Sequence, residues 1–124
     1  MPSNHTKSAR ASWKGDVKHG RGLMTDGSRV MHNIQFNLNA RLGDVSNITS
    51  PEEMMAGAVA SCYSMALSKT LGDKGKIPES INTNAVVTVD TSTGGLVAKR
   101  IDLEVEAAVS GVNEKELQAA AEET

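Results

Sequence analysis

The residues able to do chemistry are few, and one stretch gathers most of them. Residues 51–68, PEEMMAGAVASCYSMALS, hold the only cysteine of the chain, Cys62, ten positions after Glu52. A cysteine acts as a nucleophile through its thiolate, which needs a nearby cation. No Lys, Arg or His lies between Met54 and Leu67, so that cation has to come from elsewhere in the fold. Arg41 is the nearest candidate upstream, read here as part of a strand in which apolar residues alternate with amides. A free cysteine is more commonly an inert, buried small hydrophobe, so the thiol alone does not decide for catalysis.

Other chemistries find little support. Histidines 5, 19 and 32 are scattered, and with one cysteine they offer no zinc spacing, so no metal is expected. Ser61 and Ser64 flank the thiol without a Gly-x-Ser-x-Gly elbow. The segment KGDVKHGRG is basic and glycine-punctuated but lacks a phosphate-loop pattern, and reads as a solvated hairpin loop. A net charge of −2 and a pI near 5.9 argue against nucleic acid as a partner. One cysteine allows no internal disulfide. The start of the chain has no secretory apolar stretch, and the uncharged run at 54–67 is shorter than the ~20 residues a bilayer span needs. A soluble, cytoplasmic protein without a membrane segment or cofactor is expected.

The elements that position these residues follow from pattern. Residues 9–14 alternate as a strand does. In 28–42, Ile34, Phe36 and Leu38 share one strand face, with Gln35, Asn37 and Asn39 on the other. GDVSNIT is a loop. Ser50 is a good N-cap, Pro51 suits the first helical position, and Glu53 completes a capping box. Glu52 and Glu53 sit where the helix dipole favours negative charge, and Gly72 is the expected terminator. DKGKIPES reads as a linker. NAVVTVD and LVAKRIDLEVEAAV read as strands turning at Gly94-Gly95. In the second, Ile101, Leu103, Val105, Ala107 and Val109 form one face. Asn113 caps a last helix, with Glu116 three positions on. The order predicts an α+β fold in one domain spanning 1–124.

An uncharged helix buries most of its surface, and 124 residues provide little to surround it. Ala56, Gly57, Ala58, Ala60 and Ser61 let another helix approach closely, and a second copy is an economical partner. A homodimer centred on this helix is expected.

The run SPEEMMAGAVASCYSMALS resembles the cysteine-helix motif of the OsmC/Ohr family, the osmotically inducible protein C and organic hydroperoxide resistance proteins. Pro51, Glu52, Cys62, Ser64, Met65, Ala66 and Leu67 match its pattern; Ser50 replaces an asparagine and Tyr63 a phenylalanine. ASWKGDVKHGRG, FNLNARL and DLEVEAAVSGVN resemble family segments too, and favour the OsmC branch. The resemblance implies an intertwined dimer, with antiparallel sheets wrapped around central helices. It implies a thiol peroxidase that reduces organic hydroperoxides and, less readily, hydrogen peroxide. Cys62 would be the nucleophile, Arg41 would stabilise its thiolate and orient the peroxide, and Glu52 would hold Arg41 in place. A dithiol reductant, such as a lipoylated protein, would complete the cycle. Ten residues put Glu52 and Cys62 ~15 Å apart along one helix, so antiparallel packing of two copies would bring Glu52 of one toward Cys62 of the other. The family's second, resolving cysteine is missing, and the last helix stops mid-pattern at Thr124, so the C-terminal part of the domain is expected to be lacking. The competing reading is a catalytically silent dimeric binding protein of the same fold.

Overall fold

The structure is a computed structural model that describes residues 3–43, 45–92 and 94–124. The chain divides into two compact units, Met1–Met54 and Met55–Thr124, and each is taken by itself.

In the first unit, β1 (Ala9–Lys14), β2 (Arg21–Asp26) and β3 (Ile34–Phe36) form an antiparallel sheet in that order. The β1–β2 register runs from Ala9 opposite Asp26 to Lys14 opposite Arg21. The basic segment is the connecting loop, as its composition predicted, and Gly15 adopts a left-handed φ of 96° there. Gly22 is not turn punctuation. It sits inside β2 opposite Phe36, where a Cβ would overlap the Phe36 ring. The missing side chain lets Phe36 lie flat on the sheet and meet Trp13 with ring centroids 5.8 Å apart.

The strand expected through 28–42 is interrupted. Only Ile34–Phe36 pairs as a strand, and a five-residue helix, α1 (Leu38–Leu42), follows at once. Leu38 therefore does not share a strand face with Ile34 and Phe36, and Arg41 is helical. The cause is local. The Asn37 carboxamide accepts from Ala40 N at 2.8 Å, a cap, and Leu, Ala, Arg and Leu that follow are strong helix formers.

Helix α2 (Pro51–Asp73) starts where Ser50 and Pro51 predict, with Glu53 N–H donating to Ser50 Oγ at 3.2 Å. The other half of the expected box is used differently, since the Glu53 carboxylate accepts from Thr49 Oγ1 at 3.0 Å. Gly72 is still helical. The left-handed residue that ends the helix is Gly75, φ 75°, with Lys76 N–H donating back to Leu71 O at 2.9 Å.

In the second unit, β4 (Pro78–Asp90) and β5 (Val97–Val109) form a long antiparallel ribbon. Strand β4 begins six residues before NAVVTVD and absorbs the end of the expected linker, because β5 offers it partners from Pro78 onward. Gly94 turns with a φ of 88°. Helix α3 (Glu114–Glu123) carries the expected capping box between Asn113 and Glu116. Leu67 and Leu71 are 0% and 1% exposed and pack with Ala120, Tyr63, Ile81, Val105, Val109 and Leu117. Burying each leucine contributes about 1.5–3 kcal/mol.

The expected enclosure of α2 is met on one side only. Tyr63, Leu67 and Leu71 face the core, whereas Met55, Ala58, Cys62 and Met65, spaced three and four apart, are exposed. Met65 is 75% exposed. A helix has two sides, and one ribbon and one short helix cover only the first.

Candidate functional site

Arg41 and Glu52 are brought together within the first unit. Arg41 Nε donates to Glu52 Oε1 at 2.9 Å and Nη2 to Oε2 at 2.7 Å, a fork in which both groups lie flat against each other. The side chains are 28% and 13% exposed, so this pair is shielded from solvent more than a surface ion pair. Arg41 raises its hold on its proton through the hydrogen bond to Glu52, against the opposing effect of burial. The Glu52 carboxyl is held below the usual carboxylate range, first by the Arg41 hydrogen bond; burial opposes this, and its own backbone N–H and the Arg41 charge add to it.

The local folding explains the meeting. Arg41 stands one turn into α1, and its N–H donates to Asn37 O at 3.3 Å. Glu52 stands in the first turn of α2, one residue after Pro51. Both helix starts are fastened to β3. Asn37 directly follows Phe36, and on the other side Thr49 N–H donates to Gln35 O at 3.0 Å and Thr49 bridges to Phe36. Ser50, the cap of α2, is buried. Two helices that begin within a residue of the same short strand bring side chains eleven positions apart into one fork.

Cys62 lies in the second unit, in the middle of α2 and exposed. Its neighbours are committed elsewhere. Ser61 Oγ donates to Gly57 O at 2.7 Å and Ser64 Oγ to Ala60 O at 2.8 Å. Ser64 Oγ has then given up its only hydrogen, so Thr83 Oγ1, 2.7 Å away, is the donor of that bond. Tyr63 OH donates to Ala121 O at 2.7 Å. These bonds fix α2 against β4 and α3. Around the helix axis Cys62 is about 140° from Leu67, so fastening the Leu67 side leaves the thiol facing away from the core. A cleft of about 390 Å³ among Tyr63, Leu67, Leu103, Val105, Leu117 and Ala121 does not include Cys62 in its lining.

Thus Arg41 and Glu52 form a pair within the first unit, and Cys62 belongs to the second. Reading residues from the sequence missed Asn37, assigned there to the polar face of a strand. The available signal was Asn followed by helix formers at 38 and 40–42. It also missed the Tyr63 hydroxyl as a tie between helices. Among the described residues no group of three His, Cys, Asp or Glu side chains could hold a metal, and no helix is long and apolar enough to cross a membrane.

The family model described as OsmC-like protein matches residues 41–124. The chain is 38% identical over 107 residues to the peroxiredoxin OsmC of Escherichia coli strain K12, covering 86% of this chain and 74% of that protein. The peroxiredoxin OsmC of Shigella flexneri gives the same values. Among solved structures, an organic hydroperoxide resistance protein from Elizabethkingia anophelis aligns with a TM-score of 0.69 at 19% identity, over 98% of this chain and 82% of that one. An OsmC-like protein of unknown function from Vibrio cholerae aligns with a TM-score of 0.66 at 18% identity, over 97% and 90%. At such identities these two structures speak for the fold.

Proposed function

The chain belongs to the OsmC-like protein family and is a thiol-dependent peroxidase that reduces organic hydroperoxides; from that premise we propose that Cys62 is its nucleophile, served by Arg41 and Glu52. The Cys62 thiolate attacks the distal oxygen of the hydroperoxide. A sulfur–oxygen bond forms as the oxygen–oxygen bond breaks, and the leaving alkoxide takes a proton to become the alcohol. Sulfur is oxidised by two electrons to the sulfenic acid, and the peroxide is reduced. A dithiol then returns Cys62 to the thiol: its first sulfur displaces water and forms a mixed disulfide, and its second releases Cys62. A lipoylated protein is one dithiol of the right chemistry.

The observation that carries the role of Arg41 is the fork. Glu52 uses Nε and Nη2, which fixes the plane of the guanidinium and leaves Nη1 to donate to a peroxide oxygen. Charge at that point stabilises both the thiolate and the departing oxygen.

The pair and the thiol meet, in this proposal, across a homodimer. Helix α2 is unbroken from Pro51 to Asp73, and its exposed stripe of Met55, Ala58, Cys62 and Met65 is apolar and small enough to receive a second copy. An antiparallel arrangement places Arg41 and Glu52 of the partner subunit beside Cys62. The direct test of the chemistry is consumption of cumene hydroperoxide with a small dithiol. The chain should consume it and Cys62→Ser should not; equal consumption by both would remove Cys62 from the reaction.

A further inference from the structure

We propose that Asn37 is a positioning residue for the peroxidase reaction, acting by holding the turn that carries Arg41. This rests on the reading that Arg41 serves Cys62. Helix α1 has five residues, too few to be stable by its own hydrogen bonds. Its shape depends on its start. Asn37 supplies that start twice over: its carboxamide oxygen accepts from Ala40 N at 2.8 Å, and its backbone oxygen accepts from Arg41 N at 3.3 Å. Its φ of −157° keeps it extended, continuous with β3, so the cap also fixes the direction in which α1 leaves the sheet. At the far end, Gly43 N–H donates to Asn39 O at 2.9 Å.

The anchor of the anchor is Phe36. Gly22 beneath its ring, Trp13 beside it and Thr49 bridged to its backbone leave it little freedom. Arg41 is therefore placed by a chain of short links from a fixed aromatic ring, through one cap, to a guanidinium. Glu52 holds the far end of the side chain, and Asn37 holds the backbone from which it springs. Losing either leaves Arg41 attached at one end only. Reaction rates fall steeply when a charged group is displaced by as little as an ångström.

The experiment follows the oxidation of Cys62 by cumene hydroperoxide in Asn37→Ala, Asn37→Ser, Arg41→Met and the double variant Asn37→Ala/Arg41→Met. Serine caps a helix about as well as asparagine, whereas alanine does not. Asn37→Ala should slow oxidation about five- to tenfold, the factor corresponding to loss of a cap, and Asn37→Ser should restore it to within about twofold. The double variant should be no slower than Arg41→Met, because residues acting through one group do not add. Asn113→Ala removes the same kind of side-chain bond, Glu116 N–H to Asn113 Oδ1 at 2.8 Å, from the start of α3 and serves as a control for general destabilisation; it should leave the rate unchanged. The inference is overturned by a wild-type rate in Asn37→Ala, by effects that multiply in the double variant, or by equal slowing in Asn113→Ala. An unchanged rate in Arg41→Met overturns the role of Arg41 itself, and is told apart by that variant alone.

Discussion

At the scale of single residues, the account rests on an arginine whose geometry is set by a carboxylate. Replacing Arg41 by Met should slow oxidation of Cys62 at neutral pH ~10-fold or more, since a cation beside a thiolate stabilises it strongly. Lysine at 41 should recover only part of that, because a point charge cannot fork onto Glu52 and still face a peroxide. Stopped-flow measurement of thiol loss checks both, and full recovery by lysine would contradict the role of the fork. Acid should disarm the pair in a defined direction. Folding lowers the Glu52 pKa, so the stability contributed by the fork is present above the ordinary carboxylate value of 4.5 and is lost as pH falls through the lower, folded value. The chain should therefore lose stability below pH 4.5 more steeply than Glu52→Gln, which has no proton to bind there; equal acid profiles in chemical denaturation would refute this. The pairing itself was legible only through family resemblance. Nothing in a spacing of eleven residues announces a contact, because the intervening loop and the anchoring of Thr49 to β3 are tertiary facts.

At the scale of elements, the helices that announce their starts were legible and those that do not were not. Ser50-Pro51 before an uncharged run and Asn113 with Glu116 gave α2 and α3 their first residues, because caps are local chemistry. The sequence of α1 predicts a strand because Ile34, Phe36 and Leu38 alternate, and five residues are too few for a helical period to assert itself. Gly72 predicts the terminator of α2, but the helix runs to Asp73 and the left-handed φ falls at Gly75. The tie between α2 and α3 was hidden for another reason: Tyr63 OH meets Ala121 O across 58 positions. Tyr63→Phe should leave that helix-terminal carbonyl without its partner and lower stability by about 1 kcal/mol. Leu67→Ala, at the centre of the same cluster, should cost about 2–5 kcal/mol. Urea unfolding measures both, and a Tyr63→Phe cost matching that of Leu67→Ala would mean that the hydroxyl does more than tie two helices.

At the scale of the whole molecule, the sequence predicts a partner, and the proposed second copy would cover the exposed stripe of α2. The second unit buries three apolar residues fully and exposes a stripe on α2, with Ile101 and Leu103 on β5 only partly covered. Met65→Arg places a charge on that stripe, at a side chain 75% exposed, without touching the cluster around Leu67. On the proposed interface, the unsubstituted chain should sediment as a dimer at micromolar concentration and Met65→Arg as a monomer; a dimer that survives the substitution would put the interface elsewhere. The account as a whole stands on one thiol. Residues 1–124 hold one cysteine, so in a protein of these residues oxidation at Cys62 should leave a product that can be weighed. Mass spectrometry of the protein after one equivalent of cumene hydroperoxide, with peptide mapping, is the most direct measurement. The account predicts the addition of one oxygen at Cys62, and two under excess peroxide; an unmodified Cys62 after complete exposure to the peroxide would contradict it.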